Sequence, residues 1–91
     1  MTRTLRLDPA DNVIVAIDAI EPNASADGVV ARARVPRGHK MASRAIAAGD
    51  AVLKFGQIIG FASRDVAAGE WVHEHNVAMG DFARDYRFAE A

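Results

Sequence analysis

The sequence predicts an all-β domain with short helical turns, compact and barrel-like or clip-like in outline. Three observations carry this. Apolar or alternating runs of strand length are separated by turn formers about every 8–12 residues. One run, Val13-Ile14-Val15-Ala16-Ile17, is apolar throughout and mostly β-branched, the composition of a central strand. A third segment occurs twice. Ala42-Ser43-Arg44-Ala45-Ile46-Ala47-Ala48-Gly49-Asp50-Ala51-Val52 returns as Ala62-Ser63-Arg64-Asp65-Val66-Ala67-Ala68-Gly69-Glu70-Trp71-Val72, with seven of eleven positions identical. In each copy an Ala-Ala-Gly-acid turn leads into a strand, Gly taking a positive φ there without steric cost. Two good copies are too few for a solenoid, which needs about three or more.

Taken in order, Thr2 to Leu7 alternates polar and apolar and reads as an edge strand. Asp8-Pro9-Ala10-Asp11-Asn12 is dense in turn formers and precedes the central strand. Asp18 to Asn23 breaks that strand and faintly echoes the later repeats. Ser25-Ala26-Asp27-Gly28 is a loop, and Val29 to Val35 alternates as a half-exposed strand ended by Pro36-Arg37-Gly38. The repeat units place strands at Ala51 to Phe55 and Trp71 to His75. Between them, Gly56 and Gly60 interrupt an apolar stretch, as at a bulge or a close backbone approach. From Asp81 onward one or two helical turns are expected, with Phe82 and Tyr86 at i, i+4 on one face. Residues 1–76 are therefore read as the domain body, and residues 77–91 as a tail docking on that body or on a partner.

Ninety-one residues make one domain, burying roughly 60–65% of its unfolded surface. There is no cysteine, which excludes disulfides and thiolate metal sites. Eleven basic against twelve acidic residues give a net charge of −1, so no basic field for nucleic acid or an anionic membrane is present. No apolar run approaches the roughly 20 residues that span a bilayer. Arg3 and Arg6 precede no apolar leader core, and a cytoplasmic location is expected.

The repeats diverge where chemistry can enter. Leu53 and Phe55 of the first unit correspond to His73 and His75 of the second. On a strand each pair shares a face, so Leu53 and Phe55 are expected to be buried. The histidine pair could address one metal or one substrate carboxylate, or could sit partly buried and hydrogen-bonded. Trp71 falls on the histidine face as core or pocket wall, and Glu74 points away. Asn76 ends the strand with an amide that could bind a hydroxyl or cap its own turn. Arg44 and Arg64, at equivalent positions, are expected to share a structural role. No nucleophile–base pair, phosphate loop or dinucleotide fingerprint is visible.

The segments Val35-Pro36-Arg37-Gly38-His39-Lys40-Met41-Ala42, Ile46-Ala47-Ala48-Gly49-Asp50, Lys54-Phe55-Gly56-Gln57-Ile58-Ile59-Gly60 and Ala68-Gly69-Glu70-Trp71-Val72-His73-Glu74-His75-Asn76 resemble the SAF domain that opens altronate and galactarate dehydratases. Leu7-Asp8-Pro9-Ala10-Asp11-Asn12-Val13 fits as well, as does Asp85-Tyr86. The resemblance implies a β-clip fold similar to type III antifreeze protein. It also implies a component of a sugar-acid hydro-lyase whose large catalytic domain or subunit lies on other residues, as in sulfolactate sulfo-lyase with its separate small subunit. The chain alone is then expected to be inactive, with no catalytic residue of its own assigned. Its contribution would be substrate contacts from His39, Lys40, His73, His75 and Asn76. Through His73 and His75 it could also share Fe2+ or Mn2+ in the assembled enzyme. His39 could be a third imidazole at the same edge, and Lys40 either neutralises a substrate carboxylate or is an ordinary solvated side chain. The implied partners are a large dehydratase subunit and a small sugar acid, with a homo-oligomer as a further option. The competing functions are a non-catalytic carbohydrate- or ligand-binding module and a purely structural assembly domain.

Overall fold

The β-branched run is the central strand of the fold. A computed structural model describes residues 2–78, and among these it contains nine strands and no helix. The strands are β1 Thr4–Leu5, β2 Val13–Ala16, β3 Ser25–Ala26, β4 Val29–Val30, β5 Lys40–Ala42, β6 Ala51–Lys54, β7 Gln57–Ala62, β8 Trp71–Val72 and β9 Val77–Ala78. One sheet runs β1-β2-β5-β8, another β6-β7-β9, and β3-β4 is a hairpin; every pairing is antiparallel.

The repeat is present four times, twice more than sequence identity displays. Each unit is a hook: a buried Ala, a buried Ile or Val four residues on, a positive-φ residue after three more, and a buried strand residue after a further three. The four sets are Ala16-Ile20-Asn23-Ala26, Ala31-Val35-Gly38-Met41, Ala42-Ile46-Gly49-Val52 and Ala62-Val66-Gly69-Val72. The positive φ values are 71, 81, 88 and 89°, at three glycines and one asparagine, the residue types that reach this region most readily. Hooks one and two clasp each other, as do three and four. Ile20 and Val35 exchange backbone hydrogen bonds of 2.9 and 2.8 Å, and Ile46 and Val66 exchange two of 2.8 Å. Within each pair the N–H of the positive-φ residue donates to the carbonyl of the partner hook's Ala: Asn23 to Ala31, Gly38 to Ala16, Gly49 to Ala62 and Gly69 to Ala42.

Each clasped pair has its own core. Ile14, Ala16, Ile20, Ala26, Ala31, Val35 and Met41 form one; Val13, Ala42, Ile46, Val52, Ala62, Val66, Val72 and Val77 form the other. Neighbouring residues of β2 (Val13, Ile14) and of β5 (Met41, Ala42) thus serve opposite cores. A strand buried on both faces reads as an unbroken apolar run, which accounts for Val13 to Ala16. Each buried Ile or Val contributes about 1.5–3 kcal/mol.

Several sequence expectations change. Val29 to Val35 is not one strand: β4 stops at Val30, and Val35 anchors the second hook. The inward residue of β6 is Val52, and Leu53 and Phe55 are only half-buried. Phe55 lies in the β6–β7 turn with φ 55° beside Gly56 at 75°, the signature of a type I′ hairpin. β8 ends at Val72, so His73 and His75 occupy a turn rather than a strand. β9 carries the body two residues beyond Asn76, and the helical turns expected from Asp81 lie outside the described residues. Gly60 is a close approach as expected: a Cβ there would lie 2.6 Å from the Ala78 carbonyl oxygen. A bulge stands beside it: Val52 pairs with Gly60 and Leu53 with Ile58, which leaves Ile59 as the extra residue of β7.

Three polar side chains are buried, and each ties down backbone. Asn12 accepts from Leu53 N (2.8 Å) and donates to Ala51 O (2.9 Å). Asn76 does the same one repeat later, accepting from His73 N and donating to Trp71 O, both at 3.0 Å. The two carboxylate oxygens of Asp11 accept from Phe55 N and Gly56 N, each at 2.8 Å. Burial pushes the Asp11 carboxyl up, but the N–H groups of Gly56, Phe55 and Asp8 and the Arg6 charge outweigh it. The carboxyl is left below its ordinary value of 3.8. A group with a depressed folded-state value contributes stability that is complete above its unfolded value and is lost as pH falls through the folded one. Asp11→Asn should therefore be less stable at neutral pH and lose less on acidification below 3.8. Denaturant titrations of both proteins across this window check it; parallel pH profiles would show that the carboxylate does not clamp the turn.

Candidate functional site

The fourth hook ends in β8, Trp71 and Val72, and antiparallel β5–β8 pairing sets Trp71 opposite Met41 and Val72 opposite Lys40. The second hook delivers His39 immediately before β5. The Asn76 latch closes the turn from His73, whose carbonyl also accepts from Asn76 N at 3.1 Å. Sequence-distant imidazoles thereby meet around the single indole. The ring centroids of Trp71 and His73 lie 5.4 Å apart, nearly parallel at 8°. His75 is 5.2 Å from Trp71 at 45°, and His39 is 4.8 Å from His73. All three histidines of the chain thus join one cluster.

Trp71 Nε1–H donates to His39 Nδ1 at 3.1 Å. An indole N–H can only donate, so neutral His39 carries its proton on Nε2 and presents a donor rather than a lone pair. That state suits a carboxylate or hydroxyl oxygen and not a metal ion. Among the described residues no three His, Cys, Asp or Glu side chains are grouped to hold a metal.

The cluster divides two clefts. One, of about 300 Å³, is lined by Lys40, Lys54, Ile59, His73, Glu74 and Val77. The other, of about 330 Å³, is lined by Arg32, Ala33, Ala67, Glu70, Trp71 and His75. His73 and His75 were expected to address one target; they open onto different clefts because the turn at residues 73–76 breaks strand alternation. Lys40 and His73 do share a cleft. Burial, and then the Lys54 charge, hold the Lys40 ammonium below its ordinary value. Asn76 is buried with its amide engaged by backbone, so it positions His73 instead of facing the cleft.

Sequence reasoning missed Lys54. Its signal was available: it and Lys40 are the only lysines in the chain. Arg44 and Arg64 were expected to share a structural role, but their contacts differ. Arg44 donates to Ala10 O at 3.3 Å, and Arg64 pairs with Glu70 at 3.6 Å.

A family model described as the altronate/galactarate dehydratase SAF domain matches residues 2–80. Altronate dehydratase of Escherichia coli (strain K12) is 41% identical over 76 residues, which span 79% of this chain and 15% of that protein. Altronate dehydratase of Bacillus subtilis (strain 168) is 32% identical over 80 residues, 84% of this chain and 16% of that protein. The alpha subunit of (2R)-sulfolactate sulfo-lyase of Paracoccus pantotrophus is 44% identical over 48 residues, 53% of this chain and 72% of that subunit. The chain therefore spans about a sixth of the length of the dehydratases it matches. No helix among the described residues is long and apolar enough to cross a membrane.

Proposed function

Because the chain belongs to the altronate/galactarate dehydratase SAF domain family, we propose that it serves as a domain or small subunit of a sugar-acid hydro-lyase. In this reading it completes a substrate site on a large catalytic chain. The observation that carries it is the cleft shared by Lys40, Lys54 and His73. Removing water from a hydroxy acid begins with loss of the proton α to the carboxylate, and negative charge then builds on the carboxylate oxygens. Ammonium groups fixed at that point stabilise the charge as it develops. Lys40 and Lys54 take the carboxylate, His73 takes a hydroxyl or carboxylate oxygen, and His39, its ring 4.8 Å from that of His73, would reach substrate only beyond the cleft wall. Proton abstraction and departure of the β-hydroxyl belong to groups on the large chain. A partly separate polypeptide in this role is supported by the sulfo-lyase relative, which is a subunit by name.

Co-expression with a large dehydratase-like chain from a neighbouring reading frame, followed by assays on a panel of aldonates and aldarates including altronate and galactarate, tests the proposal. The expected result is turnover by the complex and none by this chain alone. Dehydration by the pure chain above a His73→Ala control would overturn it. A stable complex silent on every substrate would instead point to a non-catalytic binding module.

A further inference from the structure

The choice of basic residue differs sharply between the scaffold and the cleft. Every ion pair among the described residues uses arginine: Arg3 with Asp18, Arg6 with Asp27, Arg34 with Glu21 and Arg64 with Glu70. The chain has only two lysines, and both line the cleft beside His73. Neither lysine pairs with a carboxylate among the described residues, and Lys54 Nζ lies 5.2 Å from the centroid of the Phe55 ring. If holding an anion were the cleft's whole task, arginine would do it better, since its planar fork grips a carboxylate through two parallel hydrogen bonds. A lysine can do what arginine cannot: shed its proton and attack a carbonyl carbon.

Lys40 is placed for that. It is half-buried, Ile59 and Val77 supply apolar wall, and a second ammonium stands in the same cleft; Glu74, expected to point away from the histidines, also lines it but is exposed and makes no ion pair with either lysine. Desolvation and a neighbouring cation are the two means by which proteins turn a lysine into an amine nucleophile. Both act on Lys40, and both lower its hold on the proton.

We propose that Lys40 captures a 2-oxo acid as a reversible imine, with Lys54 holding the adjacent carboxylate. The choice of a 2-oxo acid rests on the hydro-lyase reading, because loss of water from a 2,3-dihydroxy acid gives an enol that ketonises to a 2-oxo acid. The step is redox-neutral. The Lys40 nitrogen lone pair forms a bond to the carbonyl carbon, the C=O π pair moves to oxygen, and oxygen takes a proton. Nitrogen then gives up a proton; the hydroxyl takes a second proton and leaves as water as the nitrogen lone pair forms the C=N bond, and nitrogen releases its remaining proton, so one amine and one carbonyl become one imine and one water. His73, on the same cleft wall, is the group available to carry those protons. The site would thereby retain the product of its own reaction in proportion to product concentration.

The test is reductive trapping on the full chain with pyruvate and cyanoborohydride, the adduct mapped by peptide mass spectrometry. The expected result is addition at Lys40 at least about tenfold faster than at Lys54, whose ammonium is engaged in holding the carboxylate. Lys40→Arg should abolish that adduct with the circular dichroism spectrum unchanged. Lys54→Met should slow trapping of pyruvate more than trapping of acetaldehyde, which has no carboxylate to hold. Equal labelling of the two lysines, or labelling confined to the N-terminal amine, would overturn the proposal on the wild-type chain alone, whatever the variants do. No partner chain or dehydration step is involved, so failure here leaves the hydro-lyase reading standing. Likewise, an inactive complex would leave the trapping result standing.

Discussion

Gly69→Ala is expected to destabilise the domain far more than Gly49→Ala, although the two glycines are twins. Both have nearly the same backbone, with φ of 89° and 88°, so both substitutions incur the left-handed penalty of about 1–2 kcal/mol. Their surroundings differ. A Cβ on Gly49 meets nothing within 4 Å, whereas on Gly69 it would lie 2.1 Å from the Val30 carbonyl oxygen. Gly69 is where the first pair of hooks lies against the second, as Arg32 N also donates to Gly69 O at 2.9 Å. Backbone cannot step aside as a flexible side chain can, so overpacking should add about 1–3 kcal/mol. Urea titrations of the two variants side by side make the measurement. Equal losses would mean that the contact between the pairs does not constrain the fourth turn.

The second large effect is on activity. His73→Leu copies the residue that the twin unit carries at this position, Leu53, which is likewise half-buried. The backbone N–H of residue 73 keeps its bond to Asn76, so the fold should be retained. The imidazole lost is the one facing Lys40 and Lys54 across the cleft. Turnover of the assembled hydro-lyase should fall by about a hundredfold or more, the scale of losing a proton-handling or site-positioning group. Unchanged turnover in a properly assembled complex would remove His73 from the site. His75→Gln, in the neighbouring cleft, provides the comparison and should cost much less.

The all-β class, the central strand and hooks three and four were legible because they rest on side chains: β-branching at Val13 to Val15 and glycine at residues 49 and 69. Hook one was legible only as a faint echo at Asp18 to Asn23, and hook two was not. Their defining bonds run between backbone atoms, and their sequences share with the later hooks only a small residue, a branched one and a positive-φ position that Asn23 fills in place of glycine. Strand parity misplaced Leu53 because within β6 it is Val52 that takes the core side, and it misplaced Phe55 because alternation holds only while a strand lasts and β6 turns there. The same limit put His75 on the wrong side of Trp71. For Asp8 to Asn12, turn chemistry was correctly expected. The burial of Asp11 was invisible, because its partners Phe55 and Gly56 are more than forty residues away. His39, Lys40 and His73 were legible as chemistry, and their convergence depends on the β5–β8 register.

The fourfold hook also divides labour along the chain. Clasping uses backbone, so the residues just after each turn are free to vary: Ala24-Ser25, His39-Lys40, Asp50-Ala51 and Glu70-Trp71. Hook two carries His39 and Lys40 there, and hook four carries the indole and leads directly into His73 and His75; hooks one and three carry small or ordinary residues there. The loaded hooks come from different clasped pairs, and they meet because β5 and β8 are neighbours in one sheet. Duplication thus supplied four equivalent sockets, and only the two that end side by side hold the chemistry. The vacant pair could be refitted by mutation without disturbing a single clasp.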